Sequence, residues 1–330
     1  MEENQFLKLG LRYANYNYPN KCSDKTNIKR FQTNFGCHPT TCQKLWEDLQ
    51  TTPNLDGRIN ANTKPTFLLI GLRFLWRYQT EEELGRFFKM SAKTVRNYYH
   101  ESAKKIYLLL DEILPPLEEI KDERTTFVIS IDGTHCPINE PKPWSPKWSS
   151  HKLGGKAAVN YEVGLRINKP ELAWVYGPVP AGSHTDVVTY RECLKGKLEF
   201  INSQLDVKKK VCYEMNYNIV FNINLIIQFI YIYIYIYILF IYQVIADKIY
   251  KQEPAFISTS NDLDNMEVAK FKDRVLSRQE SFNSLLKNFY CLKTKWRHGE
   301  ETHGIAFKAC CVVISYEIHF GFKTLLNAYP

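Results

Sequence analysis

The chain has 330 residues, and its 43 Lys and Arg against 35 Asp and Glu give a formal net charge of +8 at pH 7. With 45% hydrophobic and 24% charged residues, it is neither disordered nor collagen-like, and its length favours two domains. The mild basicity suits a nucleic-acid partner. An acidic N-terminus without an apolar stretch argues against secretion. The nine cysteines lack the spacing of a zinc site or a disulfide framework, which indicates a reducing compartment.

Three regions follow one another along the chain. Residues 1–114 carry helical periodicity and basic charge, and we expect them to form a helical DNA-binding region. Two prolines and a charged stretch mark residues 115–125 as a linker. The pattern then changes to β-type runs, so residues 126–330 are predicted to form an α/β domain.

Within the first region, residues 80–106 predict two helices joined by a short turn. Thr80 and Ser91 are suitable N-caps, and three Glu in the first turn of the first helix suit the positive end of its dipole. The pair resembles a helix-turn-helix, in which Lys93 and Arg96 on the second helix are candidate DNA contacts. An ordinary helical hairpin with a solvated basic face is the alternative.

The second region mixes strands and helices. The predicted order is three strands, a helix, a fourth strand and one long basic helix, at residues 127–138, 160–168, 172–180, 186–205, 244–250 and 266–296. Consecutive strands predict an antiparallel meander, and the later alternation of helix and strand extends it. We therefore predict a mixed α/β sheet with flanking helices.

Residues 211–243 differ from the rest of the chain in composition. Ile, Tyr, Asn and Phe fill 24 of these 33 positions, and no charge occurs from Leu225 to Tyr242. Codons for these four residues begin with two A/T bases, and the opening Val and closing Gln match the GT and AG borders of an intron. Because 33 codons keep the reading frame, a retained intron is our hypothesis. An inserted aggregation-prone strand pair and a membrane span are the alternatives.

Three acidic residues are candidates for a metal site. Asp132 is expected at the end of the first strand and Asp247 at the end of the fourth, so their carboxylates meet if those strands are neighbours. Glu280 lies on the polar face of the last helix. Such carboxylates can hold two Mg²⁺ ions, which prefer oxygen ligands and act on phosphodiesters. Taken singly, each acid also suits a turn, a cap or a surface ion pair.

Other side chains near these motifs have two interpretations each. His135 can touch metal or phosphate, or it can be a satisfied strand-end histidine. Trp144 and Trp148 lie in a loop rich in Pro and Lys, where they stack on unpaired bases or pack back on the domain. Lys287 in the basic last helix and Arg297 after it are candidate phosphate contacts or parts of a solvated face.

Five motifs along residues 125–320 carry a resemblance to a known family. In order they are FVISIDGTHCPI, WSSHKLGGKAAVNYEVGL, GPVPAGSHTD, VIADKIY and RQESFNSLLKNFYCLKTKWRHG. Together they resemble the PIF/Harbinger group of DDE transposases, and the N-terminal helices are similar to the DNA-binding region of those proteins. The resemblance implies a ribonuclease H-like fold with Asp132, Asp247 and Glu280 as the catalytic, metal-binding triad. Asp186 matches a position that the family favours, and we expect a structural or auxiliary role, such as capping a helix.

The function implied by this resemblance is cleavage and joining of DNA at transposon ends with Mg²⁺ or Mn²⁺, two ions being expected. The expected partners are double-stranded DNA, further copies of the chain and a separate DNA-binding helper protein, with no membrane partner. The chemistry implies a nuclear location. The alternative is an inactive transposase-derived DNA-binding protein, which residues 211–243 would favour if the protein contains them.

Overall fold

The computed structural model describes the chain in seven stretches. They are residues 5–16, 21–51, 63–120, 127–203, 243–247, 257–259 and 266–325. The suspected insertion at residues 211–243 lies outside these stretches except for Gln243, so the retained-intron hypothesis stays a prediction. The division into two domains also stays a prediction, and its linker is described only as far as Ile120.

Seven helices precede the sheet in the described part of the chain. Helices α1 to α7 span Gln5–Tyr13, Asp24–Phe35, Pro39–Thr51, Thr66–Arg77, Glu81–Phe88, Ala92–Leu108 and Leu110–Ile113. Helices α5 and α6 confirm the pair predicted within residues 80–106. The Thr80 hydroxyl accepts from the backbone N–H of Glu83, whose carboxylate accepts from the N–H of Thr80, and Ser91 caps α6 through the N–H of Thr94. These N-caps set the starts of both helices.

A mixed sheet of five strands lies at the centre of the α/β region among the described residues. The strands are β1 (Phe127–Pro137), β2 (Ala158–Arg166), β3 (Leu172–Pro180), β4 (Gln243–Ile245) and β5 (Ile257–Ser258), in the spatial order β3-β2-β1-β4-β5. Strands β1, β2 and β3 pair antiparallel, whereas β4 is parallel to β1 and β5 is parallel to β4. The mixed α/β sheet and the existence of its four predicted strands are confirmed, but the fourth strand ends at Ile245, and residues 248–250 of the predicted strand lie outside the described residues. Strand β5 was missed because two residues are too few for a period-two pattern.

Helices flank the sheet after β3. Helix α8 spans Asp186–Cys193, and residues 195–203 are again helical after a turn at Leu194. Helices α9 (Met266–Lys287), α10 (Tyr290–Lys293) and α11 (Glu300–His319) follow β5. The prediction of one helix over residues 266–296 is wrong. Phe289 takes an extended backbone and packs edge-on against Trp76, with 5.3 Å between ring centroids, so its burial draws the chain out of the helix.

Helix α11 is enclosed between the N-terminal helices and the sheet. Its residues 306–314 are nearly all buried, and it packs against α6 on one side and β3 on the other. Tyr161 of β2 stacks on Phe307, with 3.7 Å between ring centroids. On the opposite face of the sheet, Ile129 of β1 belongs to a cluster with Tyr190 of α8. None of the described helices, α11 included, has the length and apolarity of a membrane span.

A buried carboxylate ties α11 to the start of α3. Glu317 is 1% exposed, and its Oε1 accepts hydrogen bonds from the backbone N–H of His38 at 2.8 Å and from the Thr41 hydroxyl. Burial raises the pKa of Glu317, and these two donors oppose the shift. The contact supplies an acceptor to N–H groups that the first turn of a helix leaves open.

Replacing Glu317 by Leu should lower the free energy of unfolding by about 2–3 kcal/mol, because the His38 N–H and the Thr41 hydroxyl lose their buried acceptor. The matched variant Glu317→Gln keeps an oxygen acceptor of the same shape and should lose less than about 1 kcal/mol. Urea denaturation followed by far-UV circular dichroism measures both losses. Equal losses would show that side-chain volume, and not the acceptor, holds α3 in place.

Candidate active site

Asp132 lies in β1, and Asp247 lies two residues beyond the end of the neighbouring parallel strand β4. Ser130 of β1 pairs with Ile245 of β4, and each acid follows two residues later. The side chains of Ser130 and Ile245 face α9, and because side chains alternate along a strand, Asp132 faces α9 as well. The first and fourth predicted strands are therefore neighbours, as the convergence of the two acids requires.

Asp132 lies inside its strand, and the prediction that it ends the strand is wrong. Strand β1 continues to Pro137 because it pairs with β2 from Ile129 onward, whereas its pairing with β4 stops at Ser130. Beyond that point, β1 has no ladder on its β4 side among the described residues. Asp132 lies on this stretch of β1, and the next backbone hydrogen bonds join Pro137 and Asn139 to Trp296.

Helix α9 lies along β1 and is fixed there by three polar contacts. The Ser130 hydroxyl donates to Gln279 Oε1 at 2.9 Å, and Asn283 Nδ2 donates to Asp132 Oδ2 at 2.8 Å. One turn further on, Lys287 Nζ donates to the backbone carbonyl of β1. The three helix residues are spaced by four, so they form one stripe that follows the strand.

The rotation of α9 places Glu280 on the β4 side of the helix. Arg278 donates to backbone carbonyls at the end of β2, whereas Lys272 donates to the carbonyl of Thr259 beside β5. Glu280 is exposed and lies about 80° around the helix from Lys272, on the flank away from Arg278. This flank of α9 is the one toward β4 and β5, and the convergence of Glu280 with Asp132 and Asp247 stays a prediction.

The oxygen atoms around Asp132 fit a divalent cation. Asn283 Oδ1 is buried, and it has no hydrogen-bond partner in the described part of the chain, although Nδ2 of the same amide bonds Asp132. Carboxylate and amide oxygens are the ligands that Mg²⁺ prefers. As the side chains stand, no group of three or more His, Cys, Asp or Glu among the described residues could hold a metal ion. Asp247 is exposed and is the last described residue of its stretch.

The surroundings of Asp132 oppose its negative charge. Burial raises the pKa of Asp132 to about 6, and the neighbouring carboxylate of Asp186 adds to the rise. The ammonium of Lys152 and the hydrogen bonds from the Gly133 backbone and Asn283 act in the opposite direction. A bound cation would favour the ionised carboxylate, so this site gains charge stabilisation by taking one up.

Asp186 lies directly under the strand that carries Asp132. Its carboxylate is 2% exposed and accepts from Lys152 Nζ at 2.9 Å and from Asn160 Nδ2 at 3.2 Å. A Cβ added to Gly133 would lie 1.8 Å from Asp186 Oδ1, which explains why glycine follows Asp132. Asp186 is the first residue of α8 and not its cap, since the cap position is Thr185. The expected auxiliary role takes the form of a buried ion pair beneath β1.

Gly133→Ala should lower the free energy of unfolding by about 2–3 kcal/mol, because the new methyl group meets the Asp186 carboxylate and one of them must move. Gly196→Ala is the matched control, since a Cβ there meets no atom within 4 Å. It should leave stability within about 0.5 kcal/mol. Thermal unfolding of the two variants compares them, and equal stability would mean that Asp186 moves away freely.

His135 faces away from Asp132. It lies three positions later in β1 and therefore on the opposite face of the sheet, where its Nδ1 and the Ser150 hydroxyl are 2.6 Å apart. Burial lowers the pKa of His135 to about 4, and the charge of Lys152 adds to that effect. His135 is thus a buried neutral histidine that anchors the loop after β1.

The two candidate DNA contacts on α6 differ in whether the side chain is held in an ion pair. Lys93 is exposed at the start of the helix. Arg96 is also exposed, but it forms a two-pronged ion pair with Glu81 of α5, with 2.6 Å between Arg96 Nε and Glu81 Oε1. Lys93 therefore presents its charge to solvent, and Arg96 must exchange Glu81 for a phosphate if it is to bind DNA.

The two later candidates are engaged within the fold. Lys287 Nζ donates to the carbonyl of His135 and contacts Cys136 Sγ at 3.5 Å. The guanidinium of Arg297 donates to the carbonyls of Tyr78 and Gln79 at 2.9 and 3.0 Å and lies 4.4 Å above the Tyr78 ring. Both cations therefore join structural elements, and their contact with DNA stays a prediction.

Two residues of the site were missed from the sequence. Lys152 reaches Asp186 from a loop, and no local pattern links the two positions. Asn283 lies three residues after Glu280, and that spacing puts it on the adjoining face of the helix.

The comparisons with known proteins found no matching family model, no matching curated protein and no matching solved structure.

Asp132→Asn should stabilise the metal-free chain at pH 7.5. The rise in the pKa of Asp132 from 3.8 to about 6 corresponds to a cost of about 3 kcal/mol, which is present above pH 6 and disappears as the pH falls through 6 toward 3.8. Urea unfolding in EDTA should therefore give a gain of about 2–3 kcal/mol at pH 7.5 that shrinks toward pH 4.5. A gain that does not change with pH would rule out the electrostatic cause.

Proposed function

We propose that this chain is a divalent-metal-dependent DNA nuclease of the DDE transposase class. The observation that carries the proposal is the parallel pairing of β1 with β4, in which Asp132 and Asp247 each follow two residues after the paired residues Ser130 and Ile245. Helix α9, which bears Glu280, is bonded to Asp132 through Asn283. Phosphoryl transfer with two metal ions requires the carboxylates of Asp132, Asp247 and Glu280 to come together at this end of β1 and β4.

The strand order supports a ribonuclease H-like fold for this proposal. In β3-β2-β1-β4-β5, an antiparallel meander is extended by two parallel strands, and helices cover both faces. In such a sheet a cleft opens where the first and fourth strands diverge, and ligands bind beyond the carboxyl ends of parallel strands. Asp132 and Asp247 border that position.

Within the proposed site, Asp132, Asp247 and Glu280 would hold Mg²⁺ or Mn²⁺. The ions, when bound, activate a water or a 3′-hydroxyl and stabilise the leaving oxygen of a phosphodiester. Asn283 holds one oxygen of Asp132 and thereby sets the direction of the other. On the far side of β1, Lys152 pairs with Asp186 and limits the repulsion between its carboxylate and that of Asp132.

The partner in this proposal is double-stranded DNA, read by α6. The start of that helix exposes Lys93, Arg96, Asn97 and Tyr98, which can reach phosphates and base edges when a helix enters the major groove. Cleavage and joining at transposon ends would pair two ends, so the proposal includes a homo-oligomer and a nuclear location. A separate DNA-binding helper protein remains part of the proposal.

The test is nicking of supercoiled plasmid in Mn²⁺ or Mg²⁺ by the chain as printed and by the chain lacking residues 211–243. Asp132→Asn, Asp247→Asn and Glu280→Gln should each lower the nicking rate at least about 100-fold, because removal of one carboxylate weakens the metal site. Asp273→Asn is the matched control on the same helix, and it should nick within about twofold of the parent chain. Far-UV circular dichroism verifies that each variant is folded.

An unchanged nicking rate in any triad variant removes that residue from the site. If the folded chain binds DNA but never nicks it, the inactive transposase-derived DNA-binding protein becomes the better description. If only the shortened chain folds and nicks, both the nuclease proposal and the retained-intron hypothesis gain support.

A further inference from the structure

The loop between β1 and β2, residues 139–156, presents one large aromatic side chain to solvent. Trp144 is 48% exposed, whereas Trp148 of the same loop is 6% exposed and packs into the core. From the sequence, Trp144 and Trp148 had the same two alternatives, and their exposure now distinguishes them: Trp144 can stack on a base, whereas Trp148 packs on the domain. We propose that this loop holds an unpaired base of the DNA strand beside the scissile phosphate, with Trp144 as the stacking surface. This inference rests on the proposed nuclease function and names the form of its substrate.

The loop holds Trp144 on a restrained backbone. Pro141, Pro143 and Pro146 each fix one backbone dihedral angle close to Trp144. The carbonyl of Lys147 accepts hydrogen bonds from the N–H groups of Gly182 and Ser183 at 2.7 and 3.1 Å. Buried Trp148 anchors the following turn. Little conformational freedom is therefore lost when a base stacks on Trp144, which favours binding.

The charge of the loop complements a polyanion. It contains four exposed lysines and one exposed acid: Lys142, Lys147, Lys152, Lys156 and Glu140. Lysines around an exposed aromatic ring are the combination by which proteins track a nucleic-acid backbone and stack its bases. An apolar protein partner would gain nothing from this charge.

The loop lies against the strand that carries Asp132. Lys152 Nζ donates to the carbonyl of Gly133, the next residue, at 2.7 Å. The Ser150 hydroxyl contacts His135 Nδ1 at 2.6 Å. The contacts of Ser150 with His135 and of Lys152 with Asp186 lie on the face of β1 opposite to the Asp132 side chain. A DNA strand with a phosphate at Asp132 would meet this loop where the strand passes around the edge of β1 to that face.

The stacking requirement selects an unpaired nucleotide. In a duplex, both faces of a base are covered by neighbouring bases, so a tryptophan ring can stack only on an overhanging or splayed base. A tryptophan beside lysines also suits a membrane interface, but the contacts of the loop with the strand of Asp132 favour the DNA strand.

The experiment uses the full chain in EDTA, so that binding is measured without cleavage. Fluorescence anisotropy gives the affinity for a blunt duplex of about 20 base pairs and for the same duplex with a short thymidine overhang. Trp144→Ala should weaken binding of the overhang probe about 10-fold and leave the blunt probe within about twofold. Trp144→Phe keeps an aromatic face and should stay within about threefold of the parent chain. Tyr290→Ala is the matched control, since Tyr290 is also exposed beside a lysine, and both probes should bind it unchanged.

Unchanged overhang binding in Trp144→Ala would overturn the proposal, and so would an equal loss for both probes. Loss of binding to phosphatidylserine vesicles, with DNA binding intact, would assign the loop to a membrane instead.

The outcome of this binding experiment is independent of the nicking test of the triad variants. If nicking requires Asp132 but Trp144→Ala binds the overhang probe unchanged, the nuclease proposal holds and the role of this loop is excluded. Overhang-selective loss supports the loop even if a triad variant still nicks.

Discussion

The polar contact between α9 and β1 decides how the candidate site is arranged. Apolar packing alone lets a helix slide or turn over a sheet, but hydrogen bonds are directional and fix both movements. The bonds between Gln279 and Ser130 and between Asn283 and Asp132 set the height and the rotation of α9 together. Glu280 therefore faces the β4 side because its neighbours on the helix are bonded to the strand. The uncharged residues Gln279 and Asn283 thus set the side of the helix on which Glu280 lies.

A carboxylate lies against each face of β1 at nearly the same point. Asp132 lies toward α9, and Asp186 fills the space that a side chain at Gly133 would occupy on the other face. Lys152 forms a direct ion pair with Asp186 and not with Asp132. The burial of Asp132 thus leaves a negative charge poorly compensated by the protein alone, which is the electrostatic situation expected of a site that takes up a cation. The charge of Asp132 thus costs stability at the residue that the proposed metal chemistry uses.

Local patterns in the sequence predicted what local physics controls. Period-two alternation identified four strands, N-cap residues marked the starts of α5 and α6, and the two strand acids were found with the condition that their strands be neighbours. Contacts between distant segments left no such pattern. The break at Phe289 depends on Trp76, and the engagement of Arg297 depends on the carbonyl of Tyr78. The raised pKa of Asp132 follows from burial and from Asp186, so neither its direction nor its cause was visible in the motif.

The position of α11 has a consequence for synthesis of the chain. This helix forms the inner wall of the layer built by helices α3, α6 and α7, and Glu317 completes the first turn of α3. A ribosome must therefore translate almost the whole chain before the apolar faces of the early helices are covered. Until then these faces are open to chaperones and to aggregation. A message truncated anywhere before α11 yields early helices whose apolar faces lack this covering helix.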